Sequence, residues 1–145
     1  MRSLTILSTD KNASIQIERR EFEQFVNYAV TASFHGERVT NEGVVFTHTS
    51  AFVRSLEVFE RSRAGAPLLD GTEDCKLTIE ADGQMGHAWL TFQVSRTLHA
   101  FSAQTGRGRS GRITLSGSFS VSGEFIGQLV FDFRELFGEH EARAS

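Results

Sequence analysis

Cysteine occurs once in this chain, as Cys75, so no internal disulfide can form and no thiolate cluster can hold a metal within one chain. That scarcity fits a reducing compartment. Lysine occurs only as Lys11 and Lys76 among fifteen basic residues. The others are arginines, whose flat fork suits carboxylates and phosphates, although coding bias produces the same excess. Acid is missing from residues 83–123, where Arg96, Arg107, Arg109 and Arg112 all lie, so that stretch carries a local positive excess. The whole chain is nevertheless at -3, which disfavours a nucleic-acid partner. No apolar run approaches the length of a membrane span. The opening "MRSLTILSTDKNASIQ" is too short and too polar in its apolar part for a secretory signal. A soluble, cytoplasmic protein without a membrane role is the expectation.

Catalytic signatures are missing too. There is no GxSxG elbow, no HExxH and no GxxxxGK followed by Ser or Thr. Internal repeats, low-complexity tracts and long linkers are also missing, and proline occurs once, at Pro67. At 145 residues, 39% hydrophobic and 23% charged, the composition is that of an ordinary folded domain, so disorder is not expected beyond the ends. One domain over residues 1–138 with a flexible tail at 139–145 follows. What is abundant is phenylalanine, 13 residues against one Trp and one Tyr, so the core and a contact surface are built from rings.

Hydrophobic periodicity places the elements. Leu4, Ile6 and Leu7 form a short strand, Ile15 and Ile17 a second, with "DKN" at 10–12 as the turn. Val26, Tyr28, Val30, Ala32 and Phe34 alternate with polar residues, the mark of a strand with one wet face. After a polar stretch, "GVVFTHT" at 43–49 reads as another strand. Phe52, Val53, Leu56 and Phe59 then recur at helical spacing behind Ser50, a capping residue, and Gly65 and Pro67 stop the helix. Glu57 and Arg61 stand four apart in the favourable order. Strands resume after Gly71. Cys75, Leu77 and Ile79 share one face, "DGQMG" at 82–86 is a turn, and Ala88, Leu90, Phe92 and Val94 share a face on the returning strand. Ile113, Leu115, Gly117 and Phe119 continue the sheet beyond an arginine-rich loop.

The last stretch allows two readings. As a strand, Leu129, Phe131 and Phe133 alternate with Val130, Asp132 and Arg134. As a helix, Ile126, Leu129, Val130, Phe133, Leu136 and Phe137 make one stripe, with Ser122 as cap and Gly138 closing it. The helical stripe covers more residues and leaves Phe125 and Phe131 outside it. The expected class is therefore α+β: a twisted antiparallel sheet covered by two helices at about residues 50–63 and 123–137. A β-sandwich closed at its ends by helices is the nearest rival.

Each candidate site has a plain explanation beside it. "GRGRSGR" at 106–112 puts Arg107, Arg109 and Arg112 among glycines that let a ligand approach the backbone. A mobile hairpin connection accounts for the same composition. A protein contact or a phosphate ligand are the functional readings. His35, His48, His87, His99 and His140 lack the spacing of a metal site, though His35 and Glu37 would share a strand face. Cys75 alternates with core residues and is read as a small hydrophobe. Glu37, Glu42, Glu73 and Asp74 fall at turns and strand ends, as solvated charges do. Trp89 projects with His87 and Gln93 from the wet side of its strand. With Phe131 it is a candidate partner contact, since exposed rings anchor interfaces. Packing against a second sheet is the plain alternative for Trp89.

The stretches "HTSAFVRSLEVFERSRAGAPLLDGTEDCKLTIEADGQMGHAWLTFQV" and "LSGSFSVSGEFIGQLVFDFRELF" share a pattern: a helix, a "GxxxL" exit, a strand of the form "LTIEADG" ending near "GH", a long strand, "GSF" and a terminal helix. Over roughly residues 24–137 this resembles the small WapI-type immunity proteins of bacterial contact-dependent toxin systems and related bacterial families. The matching positions are Phe52, Leu56, Leu69, Leu77, Ile79, Gly86, Phe119, Leu129 and Leu136, which are packing positions. The resemblance implies a cytoplasmic inhibitor that blocks a toxin domain by binding it, and transfers no catalytic residue. The expectation is a non-catalytic protein-binding domain with no cofactor and no metal, whose partner is a protein such as a toxin domain. A homo-oligomer is compatible with it. The alternative is a binding protein for a small molecule or phosphate ligand that uses the 106–112 loop.

Overall fold

The computed structural model describes residues 2–83, 86–102 and 107–138, and for 99–102 and 107–110 the backbone alone. Among these residues the first sheet holds β1 (Ser3–Leu7), β2 (Ala13–Phe22), β3 (Phe25–Phe34) and β4 (Glu37–Val44), paired in that order. The second holds β5 (Phe46–Thr47), β6 (Leu68–Gly71), β7 (Lys76–Ala81), β8 (Ala88–Ser102) and β9 (Arg107–Val121), again in chain order. All the pairings are antiparallel. Helix α1 (Thr49–Ser62) links β5 to β6, and α2 (Ile126–Phe137) follows β9. The fold is the expected α+β class, with twisted antiparallel strands and two helices packed against them. The strands are divided between two sheets, which meet in one core with the apolar stripes of both helices.

The division occurs at one residue. Val44 ends β4 in the first sheet, and Phe46 begins β5 in the second. Val45 turns the corner between them, donating its N–H to Thr72 Oγ1 at 3.0 Å and accepting from the Thr72 N–H at 3.0 Å. The segment expected as one strand over 43–49 is therefore split between sheets. The polar stretch before it is itself a strand, β4. Periodicity misses β4 because one inward position is Asn41 and because the register with β3 slips between Tyr28 and Val30. Asn41 is buried, and its Nδ2 donates to the Ser95 carbonyl at 2.7 Å and to Glu73 at 3.1 Å, which pins β4 to β8.

The helices begin and end differently from the sequence signals. Ser50 lies inside α1, and the cap position is His48 in the left-handed region. Arg63, not Gly65, closes the helix at φ 57, with its N–H on the Phe59 carbonyl. The Glu57 carboxylate is held in an ion pair with Arg134 of α2. Over 123–137 the first three residues are a 3₁₀ turn, and the α-helix proper starts at Ile126. Gly138 closes it at φ 68, as expected, where a left-handed residue costs glycine nothing.

The 106–112 segment requires the largest correction. It is not a loop from Arg107 onward: Arg107 to Arg112 are the first residues of β9, paired with Ser102 to Thr97 of β8. The side chains of Arg107 and Arg109, residue Gly106 and the proposed 139–145 tail lie outside the described residues. His35 is also corrected. It occupies a two-residue hairpin turn with Gly36, at φ 49, so it shares no strand face with Glu37.

Close approach, not turn geometry, explains one glycine at the sheet junction. A Cβ on Gly71 would lie 2.7 Å from Val44 Cγ1 and 2.8 Å from the Cys75 carbonyl oxygen. We expect Gly71→Ala to destabilise the protein by about 1–3 kcal/mol, as overpacking does, measured by urea unfolding. A change below a few tenths of a kcal/mol would show that the junction is not this tight.

Candidate functional site

The free edge of the first sheet lies beside the last helix. In β1, Arg2 accepts from the Arg19 N–H and Ser8 donates to the Ala13 carbonyl, which fixes the even-numbered residues as those bonded to β2. The backbone groups of Thr5 and Leu7 therefore point away from the sheet, and β1 is its outermost strand. Their side chains are exposed, while Leu4 and Ile6 point into the core. Helix α2 runs antiparallel to β1. Its C-terminal Leu136 carbonyl accepts from Arg19 Nη1 at 2.7 Å near the start of β1. At the other end the Thr9 N–H bonds the Ser120 carbonyl at 3.0 Å, just before the helix begins.

Between strand and helix lies a half-open groove of about 530 Å³. Its strand wall is Thr5 to Thr9, and its helix wall is Phe125, Gln128, Leu129 and Asp132. Val121, Ser122, His87 and Lys11 complete one end. The lining is mostly apolar, with charge at two places, Lys11 and Asp132. Asp132 accepts from Gln128 Nε2 at 2.9 Å, and neither charge is in an ion pair among the described residues. His87 Nδ1 is buried without a hydrogen-bond partner among the described residues.

The β1–β2 turn positions Lys11. Asp10 Oδ1 accepts from Ser8 Oγ at 2.6 Å and from the Asn12 N–H at 3.0 Å, and Ser8 Oγ in turn accepts from the Ala13 N–H at 3.1 Å. This bracket holds Lys11 at φ 65. The same bonds, that from Ser8 first, hold the Asp10 carboxyl below its ordinary value of 3.8.

Around the groove three apolar side chains face water: Leu7 (45% exposed), Phe125 (59%) and Phe131 (53%). Phe131 lies three residues beyond Gln128, on the adjoining strip of the outer helix face. Trp89 is 38% exposed and pairs with Ser120, one residue before the groove-lining Val121. The expected contact residues thus fall in different places. Phe131 lies on the helix strip next to the groove-lining Gln128, and Trp89 lies on the exposed face of β8, outside the groove lining. Arg112 lies elsewhere, tied to Asp74 at 2.8 Å on the outer face of the second sheet.

The other candidates disperse. Cys75 is buried, and its Sγ donates to the Ser95 carbonyl at 3.5 Å. Burial pushes its thiol up, away from the reactive thiolate. No group of three or more His, Cys, Asp or Glu among the described residues has the arrangement of a metal site. His35, His48 and His87 stand in three separate connections. No described helix is long and apolar enough to cross a membrane. Sequence reasoning missed Lys11 and the role of Leu7. The signal for Leu7 was its position next to Ile6, out of alternation. It also missed Phe22 and Phe25, paired and exposed at the β2–β3 hairpin tip. Compared with family models, with curated proteins and with solved structures, the chain finds no match.

Two outcomes test this geometry. Cys75 should react with a soluble disulfide reagent roughly a hundredfold more slowly in the native protein than in urea. Reaction at the unfolded rate under native conditions would contradict its burial. Asp10, with a depressed folded-state pKa, adds stability that is complete above its unfolded value and is lost as pH falls through the folded value. The difference in stability between wild type and Asp10→Ala should therefore be present at pH 7 and shrink as the pH drops below 3.8. A difference that persists unchanged at pH 2 would show that the carboxylate charge plays no part.

Proposed function

We propose that this protein is a non-catalytic protein-binding domain, and that its partner seats on the face formed by β1 and α2. The observation that carries this reading is the cluster of Leu7, Phe125 and Phe131 facing water around an apolar groove. A soluble domain rarely leaves rings of this size on one face unless something covers them. The same helix commits its opposite stripe, Ile126, Leu129, Val130, Phe133 and Leu136, to the core. The outer rings are therefore not needed to fold the helix. Aromatic anchors near the centre of an interface carry most of its energy, which suits Phe125 and Phe131. Within that reading, the resemblance to small bacterial immunity proteins supports neutralisation of a toxin domain in the cytoplasm. Glu124, exposed, and Asp132, partly exposed, would meet a basic partner surface.

The groove volume is also that of a small-molecule pocket, and His87 Nδ1 without a partner is a polar group of the kind that orients a ligand. This favours a second reading, a small-ligand binding protein. A ligand held there would use this groove and not the arginine segment, where Arg112 already meets Asp74.

The test is growth protection against a toxin domain encoded immediately upstream of this chain's gene, together with binding of the purified pair. Phe125→Asp with Phe131→Asp should abolish protection and weaken binding by about a hundredfold or more, with little change in thermal midpoint because both rings are exposed. Replacing Arg107, Arg109 and Arg112 by alanine should leave protection unchanged. Retention of protection by the double aspartate variant would refute this placement. Loss of protection in the arginine variants would return the role to the second sheet.

A further inference from the structure

We infer that the groove takes an extended segment of the partner, which adds to β1 as a fifth, antiparallel strand of the first sheet, with an acidic residue at its leading end and a basic residue at its trailing end. This rests on the protein-binding reading and specifies how the partner is held. Three observations point to it. First, the outward N–H and C=O groups of Thr5 and Leu7 belong to the outermost strand of the sheet and face the gap beside α2. Such a row is a template for strand addition, with main-chain bonds giving affinity and side-chain pockets giving specificity. Second, the groove is elongated along β1: its strand wall is the continuous run Thr5 to Thr9, about 13 Å of extended chain. Its apolar middle on the α2 side, Ile6, Leu129 and Phe125, suits an aliphatic side chain. Third, the charges stand apart along it. Lys11 belongs to the turn beyond the end of β1. Because α2 runs antiparallel to β1, Asp132 lies further from that end than Phe125 does.

The charges set the direction. An antiparallel segment enters at the Lys11 end, so its acidic side chain comes first and its basic side chain reaches Asp132 four residues later. With alternate side chains on one face, the acid, an aliphatic residue and the base all point towards α2. A second copy of this chain fits less well. Its β1, Ser3 to Leu7, carries no acid or base at alternate positions to meet Lys11 and Asp132.

The probe is a pair of capped heptapeptides of equal composition, Thr-Glu-Val-Leu-Val-Arg-Thr and Thr-Arg-Val-Leu-Val-Glu-Thr, added to the full chain at up to millimolar concentration. Amide hydrogen exchange is read residue by residue by NMR. The first peptide should slow exchange at the Thr5 and Leu7 amides about tenfold, with Ile6, already bonded to β2, unchanged. The reversed peptide should bind roughly fivefold more weakly, the worth of two exposed ion pairs. The variant carrying Lys11→Glu and Asp132→Lys should invert that order. Exchange at Thr5 and Leu7 that neither peptide slows overturns the inference, as does equal binding of the two peptides. A concentration-dependent doubling of mass with Thr5 and Leu7 already protected overturns it in favour of a second copy. Protection against the toxin that is lost in the Phe125 and Phe131 variant, alongside a failed peptide test, would leave the protein-binding reading standing and remove only strand addition.

Discussion

A chain of aromatic rings joins the two helices to both sheets, and the rest of the architecture depends on it. Phe52 of α1 meets Phe133 of α2 edge to face at 4.9 Å. Phe133 stacks on Phe137 at 5.7 Å, Phe137 meets Tyr28 of β3 at 5.6 Å, and Tyr28 meets Phe46 of β5 at 5.1 Å. One contiguous set of rings therefore touches α1, α2, the first sheet and the second. A ring pair of this geometry is worth about 0.5–1.5 kcal/mol beyond the area it buries, so the series holds the helices in orientation as well as in place. A second set, Phe34, Phe92 and Phe119, bridges the sheets elsewhere, and Phe34 lies so close over Gly117 that a Cβ there would meet its ring at 3.1 Å. The phenylalanine-rich composition is first a solution to joining two sheets and two helices with few residues. Among the described residues the exposed phenylalanines are those on and just before α2 and at the β2–β3 tip.

Arg63 does a comparable job in polar terms. It closes α1 in the left-handed conformation, and its guanidinium donates to the carbonyls of Phe59, Glu60 and Gly86, and at 3.4 Å to Gly123. The end of α1, the turn before β8 and the approach to α2 thus share one donor fork. Gly123 fits this junction because a Cβ would run into the Gly86 carbonyl oxygen. The entry of α2 is therefore fixed at the same place where the groove closes around Val121, Ser122 and His87. The buried Ile6 and Leu129 tie the groove to the core, and one end of it is this junction.

Much of the fold was legible because buried positions recur with the period of their element. Ile15 with Ile17, Leu90 with Phe92 and Val94, and Phe52 with Leu56 and Phe59 all read correctly and are all buried. The α2 stripe was legible for the same reason, which also identified Phe125 and Phe131 as residues outside it. What failed was local pattern overridden by tertiary structure. Strand β4 hides behind Asn41, whose burial is made tolerable by partners 32 and 54 residues away in sequence. The arginine-rich segment has loop composition but is held as a strand by pairing with β8. The division into two sheets at Val45 leaves no periodic mark, since an apolar run of "VVF" reads the same whether or not the chain changes sheet. The groove was least legible of all. Leu7, Lys11, His87 and Asp132 come from four separate elements or turns, and no spacing in a linear sequence brings them together.

The edges of the two sheets bear on the proposed placement of the partner. Among the described residues, four strands are outermost in their sheets. β4 and β5 are joined through Val45, and β4 is tied to β8 by the Asn41 side chain. β9 is bonded to the β1–β2 turn through Thr9 and Ser120, and near its other end Arg112 is engaged by Asp74. β1, five residues long, is the outer strand that lines the groove, and it carries no charge of its own. Folded proteins usually blunt such an edge with lysines, proline or a bulge, because an open one invites pairing with any chain. Here the blunting is partial and directional. α2 stands over one side, Lys11 guards one end and Asp132 the other, so a strand of the wrong charge order meets like charges at both ends. An edge protected in that manner discourages indiscriminate pairing while remaining accessible to a segment that carries its charges in the opposite sense.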